Sequence, residues 1–288
     1  MRNRHWTYIL VCVTLLSCSK PTPDDPKNST KVTTFPYTKK QFDWKSIELT
    51  INDTERKRLA DSVPWLSNMY HDSVYLQEIH ALDFNNDGLN DFIYSGPGPS
   101  DDWITIININ QNGEFKFFSV DGLIVDILVK DKRVQRLFTI SVVGTSPGME
   151  GHKITDVEYK DDLPTFKLIF ESEKVDWTPF PLESQLDSYG FESIYDTIIL
   201  RDSPIELDTP YNDFLEIEGN QFGKILKGTK GRVIGKQTDS LKNNWLCALI
   251  YSKYKIIDYP LYRSGEFDST DGISRIIWIR DKGIKRSE

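Results

Sequence analysis

From Val74 to Phe170 the chain alternates apolar-rich runs with turn residues. The runs WITIININ, EFKFFSV, LIVDILV, RLFTISVV, HKITDVEY and TFKLIF follow one another at strand-like spacing. Val, Ile, Phe, Tyr and Thr dominate them; these side chains pack well on a pleated surface, and many alternate with a period of two. The pattern predicts an antiparallel meander. Residues 52 to 63, NDTERKRLADSV, predict instead a helix: Asn52 can cap it, Glu55 follows three residues on, and Pro64 stops it. Residues 181 to 189 predict a second short helix ended by Gly190. Beyond residue 192, short apolar runs with turn glycines at Gly219, Gly223, Gly228, Gly231 and Gly235 suit a small β barrel. The expected fold class is therefore mainly β, with one or two short helices.

The N-terminus follows a different rule. Arg2 and Arg4 precede an apolar run from Trp6 to Leu16, which is closed by small Ser17. That run is shorter than the roughly 20 apolar residues a spanning helix needs, and it has the shape of a secretory signal peptide. Residues 18 to 40 hold Pro21, Pro23, Pro26 and Pro36 among Ser, Thr, Asp and Lys, a composition that predicts a flexible extended tether. Leu15-Leu16-Ser17-Cys18 resembles the lipobox of bacterial lipoproteins. The resemblance implies removal of residues 1–17 and acylation of Cys18. It further implies export, a lipid anchor in the cell envelope, and the outer membrane as the expected location. Cys12 would leave with the signal. Cys247 would then be the only thiol apart from acylated Cys18, so no intramolecular disulfide is expected.

The most specific chemistry lies at ALDFNNDGLNDFIYSG, residues 81–96. Asp83, Asn85 and Asp87 fall at positions 1, 3 and 5 of a short stretch. Gly88 is at 6, Leu89 at 7 and Asp91 at 9. Oxygen-bearing side chains at alternate positions of a tight bend converge, glycine allows the turn, and position 7 can offer its carbonyl. Crowded carboxylates repel one another without a cation, and calcium accepts six to eight oxygen ligands. An EF-hand would need Glu at position 12, where Tyr94 stands, and the flanks read as strands.

Residues 79 to about 118, LDFNNDGLNDFIYSG followed by WITIININQNGEF, resemble one FG-GAP/VCBS-type blade, with Asn110, Gly113 and Phe115 in its closing turn. The resemblance implies a structural calcium ion held by Asp83, Asn85, Asp87, Asp91 and the Leu89 carbonyl, with affinity in the range of roughly 10⁻⁴ to 10⁻³ M typical of extracellular modules. Residues 127–167 read as a second copy that lacks the aspartate ladder. Two copies cannot close a propeller, so the expected form is a pair of propeller-like blades within a β domain spanning 41–191.

Residues 192–288 resemble a bacterial SH3-like domain. Leu200-Arg201-Asp202-Ser203-Pro204 resembles its opening R-x-x-P turn, and Lys227-Gly228-Thr229 its K-G-T turn. Trp245 opens the next strand, and Trp278 lies in a closing strand without the usual G-W pair. Such modules bind cell-wall peptides or proteins through aromatics, which makes Trp245, Tyr251, Tyr254 and Trp278 candidates for a partner surface, with core packing as the competing role.

A formal charge of −8 and the absence of a basic stripe disfavour nucleic acid as a partner. No H-E-x-x-H or P-loop pattern occurs. Cys247 sits in an apolar run as a buried small residue would. His71 and His152 read as surface or turn residues, and Asp101 and Asp102 as acids that solvate the loop or complete the calcium shell. The sequence thus points to a non-catalytic envelope lipoprotein, calcium-stabilised, that binds a cell-wall, glycan or protein partner. Two alternatives are a cell-wall or glycan hydrolase with an unrecognised acidic site, and an accessory or inhibitory subunit of another envelope protein.

Overall fold

Two-residue turns set the architecture. Asn112-Gly113, Asp131-Lys132 and Asp161-Asp162 each place both central residues at positive φ, the turn that matches the twist of paired strands. The computed structural model describes residues 35–37, 42–62, 73–98, 102–143, 149–175, 178–182, 186–207, 219–257 and 272–287. The signal segment, Cys18, most of the tether, His71 and Asp101 lie outside the described residues.

Asn52 caps helix α1 (Asp53–Ser62): its Oδ1 accepts the Glu55 N–H at 2.9 Å, while Glu55 reaches back to the Asn52 N–H at 3.4 Å. A short α2 (Ser73–Gln77) leads into the first sheet. That sheet is an antiparallel meander of β1 (Ile79–Leu82), β2 (Asp91–Pro97), β3 (Trp103–Gln111) and β4 (Glu114–Asp121). A second meander, β5 (Leu123–Lys130), β6 (Arg133–Val143), β7 (Met149–Lys160) and β8 (Leu163–Val175), packs on it. Leu82, Phe84, Ile93, Ile107 and Ile109 of the first meander meet Ile124, Val134, Leu137 and Val157 of the second in one buried core.

The chain continues through β9 (Leu186–Ser193), β10 (Thr197–Arg201), β11 (Gln221–Leu226), β12 (Lys230–Thr238), β13 (Asn244–Ile250), β14 (Ser274–Arg280) and β15 (Ile284–Ser287). Their sheet runs β15-β9-β12-β13-β14 and goes on through β8-β7-β6-β5, with β14 and β8 parallel at Ser274↔Ser172. The β10–β11 hairpin doubles back onto β14 at Arg201↔Trp278. Residues 33–288 form one compact unit, and the sheet passes through the expected division at 191/192. No helix among the described residues is long and apolar enough to cross a membrane.

The expected helix over 181–189 is corrected by β9. Tyr189, Phe191 and Ser193 alternate inward, and Phe191 is fully buried against Gly231, where a Cβ would meet its ring. Cross-strand burial with a period of two overrides the helical spacing.

His152 is likewise not a surface residue. It lies on β7 with no exposure, its Nε2 is 2.8 Å from Glu150 Oε1, and Glu150 also meets Lys174 at 3.2 Å. Phe35, Tyr37 and Phe180 ring it. His80 on β1 stacks flat on Trp44 at 3.9 Å and faces Glu48, which also holds Arg56. Burial drives both imidazoles below their usual range, His80 to about 4, against the pull of Glu48 and Glu150. A depressed histidine leaves the fold at full strength above the unfolded value of about 6.5 and weakens it as pH falls through about 4. His80 alone corresponds to about 3 kcal/mol lost between pH 7 and pH 4. Asp91, whose burial raises its carboxyl to about 7, gains in the same window, so the loss is read as a difference. The pH dependence of urea unfolding should shift between wild type and His80→Gln by about that amount, and identical pH dependences would contradict the assignment.

Candidate metal centre

The bend from Asp83 to Asn90 joins β1 to β2. Asn86 and Gly88 turn it with φ of 57° and 86°. Each carboxylate along it takes backbone donors. The Asp83 oxygens accept the Asp87 and Gly88 N–H groups, both at 3.0 Å. Asp87 Oδ1 accepts Leu89 N–H at 2.8 Å, and Asn85 Oδ1 accepts Asp87 N–H at 3.2 Å. The Asn85 amide donates to Asp87 Oδ2 and to the Asp162 carbonyl, both at 2.9 Å, and so ties the bend to the β7–β8 turn.

Beneath the bend, Asp91 is fully buried. Its Oδ2 accepts the Phe84 N–H and its Oδ1 the Asn110 N–H, each at 2.8 Å. Asn110 in turn accepts Gly113 N–H at 2.8 Å and donates to the Asn90 carbonyl at 3.3 Å. The Phe84 carbonyl receives the Tyr159 hydroxyl at 3.0 Å and the Val134 N–H at 3.1 Å. Tyr159 also bonds the Val134 carbonyl at 2.8 Å. One short bend is thereby pinned to both meanders.

Burial pushes the Asp91 carboxyl up to about 7; the Asn110 and Phe84 donors pull it down, and Asp87 and Asp83 push it up again. The same burial, with Asp91 and Asp83 adding, raises the Tyr159 phenol, which Arg133 partly offsets. Arg133 lies over the Tyr159 ring and pairs with Asp162 at 2.9 Å.

Asp83, Asn85, Asp87 and Leu89 thus lie on one bend, and Asp91 lies under it. The donors are all hard oxygens, the chemistry a calcium ion requires, and the negative charge is concentrated there. Among the described residues, no three His, Cys, Asp or Glu side chains stand around one point as a ready shell, because the carboxylates face backbone N–H groups.

The aromatic candidates behave differently. Trp245 and Trp278 are fully buried. The Trp245 indole donates to Asp239 at 3.0 Å beneath the Arg280 guanidinium, and the Trp278 indole donates to the Pro179 carbonyl at 2.8 Å. A partner surface built on these two rings is therefore corrected to core. Tyr251 and Tyr254 are half-buried and pack against the two cores that flank β13. Cys247 is buried, and burial raises its thiol. Arg201, in the R-x-x-P turn, is a buried hub whose guanidinium donates to Asn220 at 2.7 Å and to the Leu207 carbonyl at 2.6 Å. The spacing of Asn220 from Arg201 carried no signal of this pairing.

Asp91→Ala would leave the buried Phe84 N–H without an acceptor and strip Asn110 of another. The expected loss is about 2 to 4 kcal/mol by urea unfolding, against about 1 kcal/mol for Tyr159→Phe. Wild-type stability in Asp91→Ala would contradict the pinning. No known family model, curated protein or solved structure matches the chain.

Proposed function

We propose that this chain is a non-catalytic lipoprotein of the cell envelope, stabilised by calcium, that presents β modules to a cell-wall, glycan or protein partner. The observation that carries the reading is the Asp83–Asp91 bend, where three carboxylates and an amide side chain crowd a turn wired into both meanders. The ion would be held by Asp83, Asn85, Asp87, the Leu89 carbonyl and Asp91. Bound there, it would neutralise their mutual repulsion and so stiffen the hairpin and the strands beneath it. Its role is structural.

Two features of the strand order support the finer module assignments. The two four-stranded meanders sharing one core suit a pair of FG-GAP/VCBS-like blades. The expected closed barrel is not formed, since the sheet runs on from β14 into β8. The order β15-β9-β12-β13-β14, with the last strand beside the first and the β10 hairpin returning to β14, suits an open SH3-like module. The N-terminal pattern supports export and acylation at Cys18.

Calcium that binds only the folded chain adds about 1.5 to 3 kcal/mol at concentrations ten- to a hundredfold above its Kd. Melting curves in about 10 mM calcium, which is ten- to a hundredfold above a Kd of roughly 10⁻³ to 10⁻⁴ M, should therefore lie several degrees above those in chelator, and Asp87→Ala should erase the difference. Superimposable curves for the wild type would reject the metal. Mass spectrometry of the chain purified from membranes should find its first residue to be an acylated Cys18; an unmodified Cys18 would reject the anchor.

A further inference from the structure

Three turns meet at one end of the C-terminal strands. The β9–β10 corner bonds the β14–β15 turn through Ile194 N–H to Gly283 O at 2.8 Å. It bonds the β11–β12 turn through Gly228 N–H to Ser193 O at 2.9 Å and Lys227 N–H to Asp196 O at 3.3 Å. This tip is a fixed platform, yet it carries apolar side chains outward. Ile194 is 46% exposed, Tyr195 54% and Leu226 46%, and Ile199 on the outer face of β10 is 38% exposed. The Tyr195 ring lies on Gly283, whose missing Cβ leaves room for it.

The surrounding charge is opposite in sign to that of the chain. Lys227, Lys230 and Lys282 are exposed and Lys224 is half-exposed, on the three turns and their strands. The neighbouring acids are Asp196, Asp281 and Glu192. Asp281 accepts the Asn244 amide at 3.0 Å, and Glu192 faces Lys230 at 3.8 Å and lies opposite exposed Lys285 on β15. A net positive rim in a chain of charge −8 is a local feature with its own complement. Exposed apolar side chains rimmed by lysine suit a surface that is anionic outside and apolar within.

We propose that this tip docks on an anionic lipid bilayer, with Ile194, Tyr195, Ile199 and Leu226 entering the boundary between headgroups and acyl chains and the lysines meeting lipid phosphates. The proposal rests on the anchored-lipoprotein reading for its nearness to a bilayer. The residues between Cys18 and Phe35, fully extended, reach no more than about 60 Å. A leash of that length keeps even a weak surface at high effective concentration. The tip would then fix the orientation of the β body on the membrane.

The test uses the chain from residue 18 onward, which retains the compact unit Thr33–Glu288, with Cys18→Ala to remove the acylation point. Its sedimentation with phosphatidylcholine vesicles is compared with and without phosphatidylglycerol. The tip predicts binding that requires phosphatidylglycerol and falls with salt. Ile194→Ser combined with Leu226→Ser should weaken it by about tenfold or more. Lys227→Gln combined with Lys282→Gln should weaken it on the anionic vesicles, and both pairs should melt like the parent. Equal binding by parent and variants, or no binding to anionic vesicles, overturns the proposal. If the wild-type chain from cells is acylated while the Cys18→Ala chain ignores vesicles, the anchor stands and the tip falls. If the wild type is unacylated while the Cys18→Ala chain binds, the anchor falls and the tip stands.

Discussion

The carboxylate of Asp91, buried between the N–H groups of Phe84 and Asn110, is the interaction on which the rest of the N-terminal half depends. It joins the bend after β1 to the end of β3, and Phe84 carries that constraint to Val134 and Tyr159 on the second meander. A buried charge costs several kcal/mol unless it is bonded and neutralised. Two backbone donors meet the first requirement. Burial, with Asp87 and Asp83 adding repulsion, pushes the carboxyl up to about 7, and Arg133 is engaged at Asp162 and Tyr159; in the proposed calcium reading a cation would meet the second.

The C-terminal half is organised by a second constraint, the burial of β13 and β14 on both faces. Leu246, Ala248, Ile250, Ile277 and Ile279 fill one core together with Phe191 and Leu200. Trp245, Cys247, Leu249, Ile276 and Trp278 fill another, with Phe138, Ile140 and Ile154 of the second meander. Neither face is left for an aromatic docking surface. Among the exposed apolar side chains of this half, Ile194, Tyr195 and Leu226 lie together at the turn end.

Periodicity made the strands legible, because alternation between the two faces of a sheet is written directly into Val, Ile and Phe spacing. The capping box at Asn52 and Glu55 was legible for a similarly local reason. The bend at Asp83–Asp91 could be found because its residues are adjacent in the chain. Arg201 with Asn220, and Glu150 with His152 and Lys174, rest on contacts between distant strands, and local spacing gives no hint of them. β9 misled for a related reason: LDSYGFES has no strong alternation until Gly231 lies beneath Phe191. The burial of Trp245 and Trp278 was a balance between two roles, and sheet continuity through β14 and β8 tipped it.

A crystal structure determined in millimolar calcium tests the central claim most directly. Calcium in the bend predicts one density peak about 2.3 to 2.6 Å from oxygens of Asp83, Asn85, Asp87 and Asp91 and from the Leu89 carbonyl. Water in that place, with the carboxylates still turned to their backbone donors, would contradict it.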